Sequence, residues 1–84
     1  MKFQYRTQGT CSEMIEFEIV EGKLHNVQFY GGCHGNLQGI GKLVEGMDAT
    51  EVISKLSGIR CGYKDTSCPD QLSKAIGSAL KKVQ

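Results

Sequence analysis

The sequence predicts an α+β fold in which a three-stranded antiparallel meander packs, as two layers, against three C-terminal helices. Three observations carry that expectation. Apolar residues recur at every second position through much of the first thirty residues. Beyond residue 36 they recur at every third or fourth. Strand-like and helix-like stretches do not alternate, so the β-α-β pattern of a parallel sheet is missing. A chain of 84 residues is long enough for one core and too short for two, so one domain is expected over 1–84.

In the first strand Phe3 and Tyr5 alternate with Lys2, Gln4 and Arg6, giving one apolar and one polar face. Ile15, Phe17 and Ile19 do the same in the second. "EGK" at 21–23 places Gly22 where a tight hairpin needs positive φ. Val27 and Phe29 continue the apolar side of a third strand, and Leu24 is out of phase with them, which predicts a bulge or a late strand start. Pairing of the first two strands would bring Lys2 and Arg6 near Glu16 and Glu18. His25, mid-strand among polar neighbours, is expected at the surface.

The helical period then takes over. Leu37, Ile40, Leu43 and Val44 are expected on one face of the first helix, which stops at Gly46. Gly39 and Gly41 within it each cost about 1 kcal/mol relative to Ala and imply close backbone packing or an imperfect helix. For the second helix Asp48 is the expected N-cap, with Glu51 completing a capping box and Met47 closing on Val52. Val52, Ile53 and Leu56 form its buried stripe. Leu72, Ala75, Ile76, Ala79, Leu80 and Val83 make the third helix the most regular, with Pro69 and Asp70 suited to its first turn and Lys81 and Lys82 to its last.

Composition excludes several classes of function. At 39% hydrophobic and 23% charged residues the chain is that of a globular domain, not a disordered one. A formal net charge of +1 provides no field for nucleic acid or an acidic membrane. No stretch approaches the roughly 18 apolar residues of a spanning helix, so no membrane partner is expected. "MKFQYRTQGT" lacks the hydrophobic run of a secretory signal, so a cytoplasmic location is expected, where thiols stay reduced.

Under reducing conditions the four cysteines argue for metal or thiol chemistry rather than disulfides. Cys11, Cys33, Cys61 and Cys68 each fall at an element boundary, and none lies on a buried stripe, where a cysteine used as a small hydrophobe would sit. Zinc takes four thiolates in a tetrahedron with no other protein group required, and iron is also suited to thiolates. No two of these cysteines have the short spacing of a zinc ribbon. Cys68 begins the third helix, where unpaired N–H groups and the dipole favour a thiolate. A thiolate also attacks disulfides, so a redox reading stays open, though no C-x-x-C motif is present. A third reading leaves the cysteines incidental, with Ser67 simply the cap of the helix. His34 is a reserve ligand. Ser67 and Asp70 are expected to cap the helix or support the ligands rather than bind metal.

"GGCHGNLQGIGK" has the look of a phosphate loop but not its details. Asn36 stands where the first glycine is required, and Leu43 replaces the hydroxyl that holds magnesium. Gly31, Gly32 and Gly35 instead let the backbone turn around Cys33, with N–H groups available to a bound thiolate. No serine–histidine–acid set or paired carboxylates suited to catalysis stand out.

With "GGCHGN" at 31–36, Cys61-Gly62, "TSCPDQLSKAI" at 66–76 and Cys11 in the N-terminal segment, the chain resembles the TSCPD-domain family, in its small stand-alone four-cysteine branch. The resemblance covers essentially the whole chain. It implies a small bacterial or archaeal domain, also found at the C-terminus of adenosylcobalamin-dependent ribonucleotide reductases, where its cysteines are read as metal ligands. It therefore implies a reductase as a protein partner. Reductase activity is not carried over with it, since 84 residues contain neither the large barrel for a ribonucleotide nor a cobalamin site. The expected function is a non-catalytic zinc-binding module using Cys11, Cys33, Cys61 and Cys68. The alternative is a thiol-redox accessory that passes electrons to a reductase.

Overall fold

The period-two segments form β1 (Lys2–Arg6), β2 (Ser12–Val20) and β3 (Lys23–Gly31), and the helical segments form α1 (His34–Val44), α2 (Ala49–Leu56) and α3 (Cys68–Lys82). The structure is a computed structural model and describes residues 2–10, 12–32 and 34–82. The strands are antiparallel in the order β1-β2-β3, so the expected α+β meander followed by helices is the observed fold.

Register follows from where the apolar residues stand. Tyr5 faces Ile15, Ile15 faces Phe29, and Phe3 faces Phe17 with ring centroids 5.6 Å apart. Residues opposite one another share a sheet face, so these form a continuous apolar surface under the helices. Glu21 and Gly22 both have positive φ, at 53° and 78°, and connect Val20 to its partner Lys23. This is the hairpin turn whose twist matches the strands.

Two bulges correct the phase of the pattern. Glu16 pairs with Gln28 but Glu18 with His25, so β3 carries one residue more than β2. Asn26 lies in that segment with φ at 55°, and the added residue returns Leu24 to the apolar face, where it is fully buried. Nearer the other end Ser12 pairs with Gly31 and Met14 with Tyr30, so here β2 has the extra residue. That shift changes which face Ser12 occupies and buries it.

Helix α3 packs on β1, β2 and α2, while α1 packs on β3. The largest fully buried side chains are Phe17, Ile15, Leu24, Leu72, Ile76 and Val52, drawn from the sheet and from α2 and α3. Ile53, Leu56 and Leu80 pack partly buried against them. Val83, expected on the α3 stripe, lies outside the described residues.

Three expectations need correction. Leu43 is 78% exposed, whereas Leu37 and Val44 are buried. The face of α1 turned to the sheet is narrow and runs through Gly41, where an added Cβ would meet the Val27 carbonyl oxygen at 2.9 Å. Leu43, about 100° from Val44 around the helix, falls outside it. Asp48 occupies the N-cap position of α2, but its side chain makes no capping hydrogen bond. The Ala49 N–H donates instead to the Gly22 carbonyl at 2.8 Å, and the Asp48 carboxylate lies 3.6 Å from Lys23. The first hairpin thus takes over the role of the cap. Finally, Lys2 stands opposite Glu18 and reaches Glu16 at 3.4 Å as expected, whereas Arg6 stands opposite Met14.

His25 meets Glu45 at 2.6 Å on the surface, and the same carboxylate accepts the Asn26 N–H at 2.8 Å, fastening the end of α1 to the β3 bulge. Among the described residues no helix is long and apolar enough to cross a membrane.

Candidate metal centre

Cys68 is the first residue of α3 and is 7% exposed, while Cys61 is exposed in the loop between α2 and α3. Cys11, Cys33 and the side chain of His34 lie outside the described residues. Among the described residues no group of three or more His, Cys, Asp or Glu could hold a metal ion. What the structure does display is the framework around Cys68 and Cys61.

The start of α3 is capped by Ser67. Its hydroxyl accepts the Asp70 N–H at 3.2 Å and donates to the Ile59 carbonyl at 2.7 Å, and its carbonyl accepts the Gln71 N–H at 2.8 Å. Pro69 follows in the first turn, where a missing N–H costs nothing. The capping turn presents the Cys68 sulfur to β2, and the Ser12 hydroxyl lies 3.2 Å from it. Ser12 is held in turn by Thr7, whose hydroxyl donates to the Ser12 carbonyl at 2.5 Å, and by Thr10, whose hydroxyl is 3.1 Å from that of Ser12.

A second framework fixes the Cys61 loop. The Cys61 N–H donates to the Thr66 carbonyl at 3.1 Å, and the Lys64 N–H to the Cys61 carbonyl at 3.0 Å. The Thr66 hydroxyl donates to Asp70, and the Gly58 N–H donates to the other Asp70 oxygen at 2.7 Å. Gln71 adds a tie to the β1–β2 connection: its amide nitrogen donates to the Thr66 hydroxyl at 3.0 Å, and its oxygen accepts the Gln8 N–H at 3.1 Å. The Thr66 hydroxyl and the Gly58 N–H hold the Asp70 carboxyl below its ordinary range, helped by Lys74 at 3.6 Å and opposed by burial.

Asp70 therefore touches the loop before it as well as the helix it begins. Ser12, Thr66, Gln71 and Gln8 escaped the sequence reading. Thr66 opens the stretch "TSCPDQLSKAI", and that was its only signal; Ser12 was hidden because the bulge reverses its face. A depression of about 550 Å³ between β3 and α1 is lined by Val27, Phe29, Leu37 and neighbouring polar residues. Neither Cys61 nor Cys68 lines it, so these thiols do not form the floor of that cleft.

Residues 2–80 match the family model of the TSCPD domain. No curated protein and no solved structure matches the chain.

Proposed function

This chain belongs to the TSCPD domain family, and on that premise we propose that it is a small non-catalytic metal-binding module in which Cys11, Cys33, Cys61 and Cys68 supply thiolates to zinc. The observation that carries the reading is the contact of the Ser12 hydroxyl with the Cys68 sulfur at 3.2 Å, on a residue that pairs with Gly31. Ser12 follows Cys11 directly, and Gly31 precedes Cys33 by two residues. Chain segments flanking three of the cysteines therefore meet at one end of the sheet. The fourth, Cys61, is hydrogen-bonded to Thr66, two residues before Cys68.

The donor set fits the metal by its chemistry. Four thiolates complete the zinc tetrahedron and leave no position for a reactive water, so the ion would supply folding energy and rigidity rather than catalysis. The Ser12 hydroxyl would donate to a coordinated Cys68 sulfur, and the Ser67 cap would hold that sulfur's turn. Iron is the competing metal for such a set. The partner implied by the family resemblance is a ribonucleotide reductase, to which the module would serve as an accessory or interaction domain.

One observation favours the redox alternative: Cys61 is exposed and so accessible to a disulfide partner. Elemental analysis of reduced protein purified without chelator separates the two. The metal module is expected to hold about one zinc per chain, lost in each Cys→Ser variant. A metal content below about half an equivalent, with selective fast alkylation of one thiol, supports the redox accessory instead.

A further inference from the structure

We infer that Thr66 is a positioning residue for this centre, holding Cys61 in place through a buried hydroxyl relay that joins otherwise separate parts of the chain. The inference rests on the metal reading above. Thr66 is bonded to Cys61 directly, because its carbonyl accepts the Cys61 N–H at 3.1 Å. That bond closes the loop on itself; the side chain of Thr66, alongside the Ser67 hydroxyl on the Ile59 carbonyl, ties the loop to the start of α3.

The directions in the relay are forced by donor chemistry. A carboxylate only accepts, so the single proton of the Thr66 hydroxyl goes to Asp70, and an oxygen lone pair receives the Gln71 amide N–H at 3.0 Å. The amide cannot flip without losing the Gln8 N–H, which its oxygen accepts at 3.1 Å. At the far end the Asp70 carboxylate takes the Gly58 N–H at 2.7 Å. Gly58 and Thr66 stand on either side of Cys61, so one carboxylate grips the loop at both ends. Gly9 closes against the methyl of Thr66, where an added Cβ would come within 3.2 Å.

Nothing apolar does this task in their place. Ile59 is 41% exposed and Tyr63 fully exposed, and every residue from 57 to 65 is open to solvent. Thr66, Asp70 and Gln71 are all buried, so water is kept from the two bonds that the Thr66 hydroxyl makes at the centre of the relay. Hydrogen bonds at its base, rather than packing along its length, set the position of the Cys61 loop.

The test compares Thr66→Val, which keeps the shape and loses the hydroxyl, with Thr66→Ser, which keeps the hydroxyl. Each protein is titrated with cobalt(II), followed by its thiolate absorption, and with zinc in competition. Cys61 alkylation under saturating zinc is then located by mass spectrometry. Thr66→Ser is expected to behave as the parent. Thr66→Val is expected to lose about 10–100-fold in zinc affinity and to expose Cys61, but not Cys68, to alkylation. If Thr66→Val does not fold, Gln71→Met removes the amide limb of the relay and is expected to shift both readouts in the same direction. Unchanged zinc affinity and unchanged Cys61 protection in a folded variant overturn the inference while leaving the metal reading intact. A parent protein that binds neither metal overturns both.

Discussion

Asp70 is the residue on which most of the local order converges. Its carboxyl is held below its ordinary range by the Thr66 hydroxyl first, then by the Gly58 N–H, with Lys74 contributing. A carboxylate whose folded pKa is depressed stabilises the fold fully above its unfolded value, about 3.9, and loses that contribution as pH falls through the lower folded value. Urea midpoints recorded from pH 6 downward should therefore fall on the acid side of about pH 4, and more steeply in the parent than in Asp70→Asn. Equal acid sensitivity in the two would remove Asp70 from this role. At neutral pH Asp70→Ala is expected to cost about 2–3 kcal/mol, because two donors lose a charged acceptor in a buried place. The sequence showed Asp70 at the positive end of a helix, but not that its carboxyl turns back to the preceding loop. Its partner Gly58 lies twelve residues away, and no periodicity encodes a contact made through a loop.

Alternation and helical spacing were legible, because burial of one face imposes them on the sequence directly. The bulge in β3 was legible too, from a single leucine out of phase. What stayed hidden were features decided by a neighbouring element. Leu43 follows the helical period yet is exposed, since the contact face of α1 narrows at Gly41, and α2 is capped by the backbone of Gly22 rather than by Asp48. Gly39 and Gly41 of α1 make the point testable. Gly39 has open space where its Cβ would stand, so Gly39→Ala should stabilise the protein by about 0.5–1 kcal/mol. Gly41 faces the Val27 carbonyl at 2.9 Å from an added Cβ, so Gly41→Ala should destabilise by about 1–3 kcal/mol despite the better helix propensity. Denaturation of the pair settles it: equal shifts of the same sign would mean α1 does not press on β3.

For the molecule as a whole, the arrangement of a small sheet under three helices brings the β1–β2 connection, the α2–α3 loop and the start of α3 to one end. Position at element boundaries was what the sequence offered for the cysteines, and it does not by itself say which boundaries adjoin. Pairing of Ser12 with Gly31 and the contact of Ser12 with Cys68 supply that information for the flanking residues. A metal held there would join segments distant in sequence, so removing it should lower the melting temperature, and re-adding zinc should restore it. An identical melting curve with and without chelator would speak for cysteines that bind nothing. The most direct measurement is zinc K-edge X-ray absorption of the native, reduced protein. Four sulfur neighbours at about 2.3 Å are the expected result, whereas a shell of nitrogen and oxygen, or protein free of metal, would contradict the proposed centre.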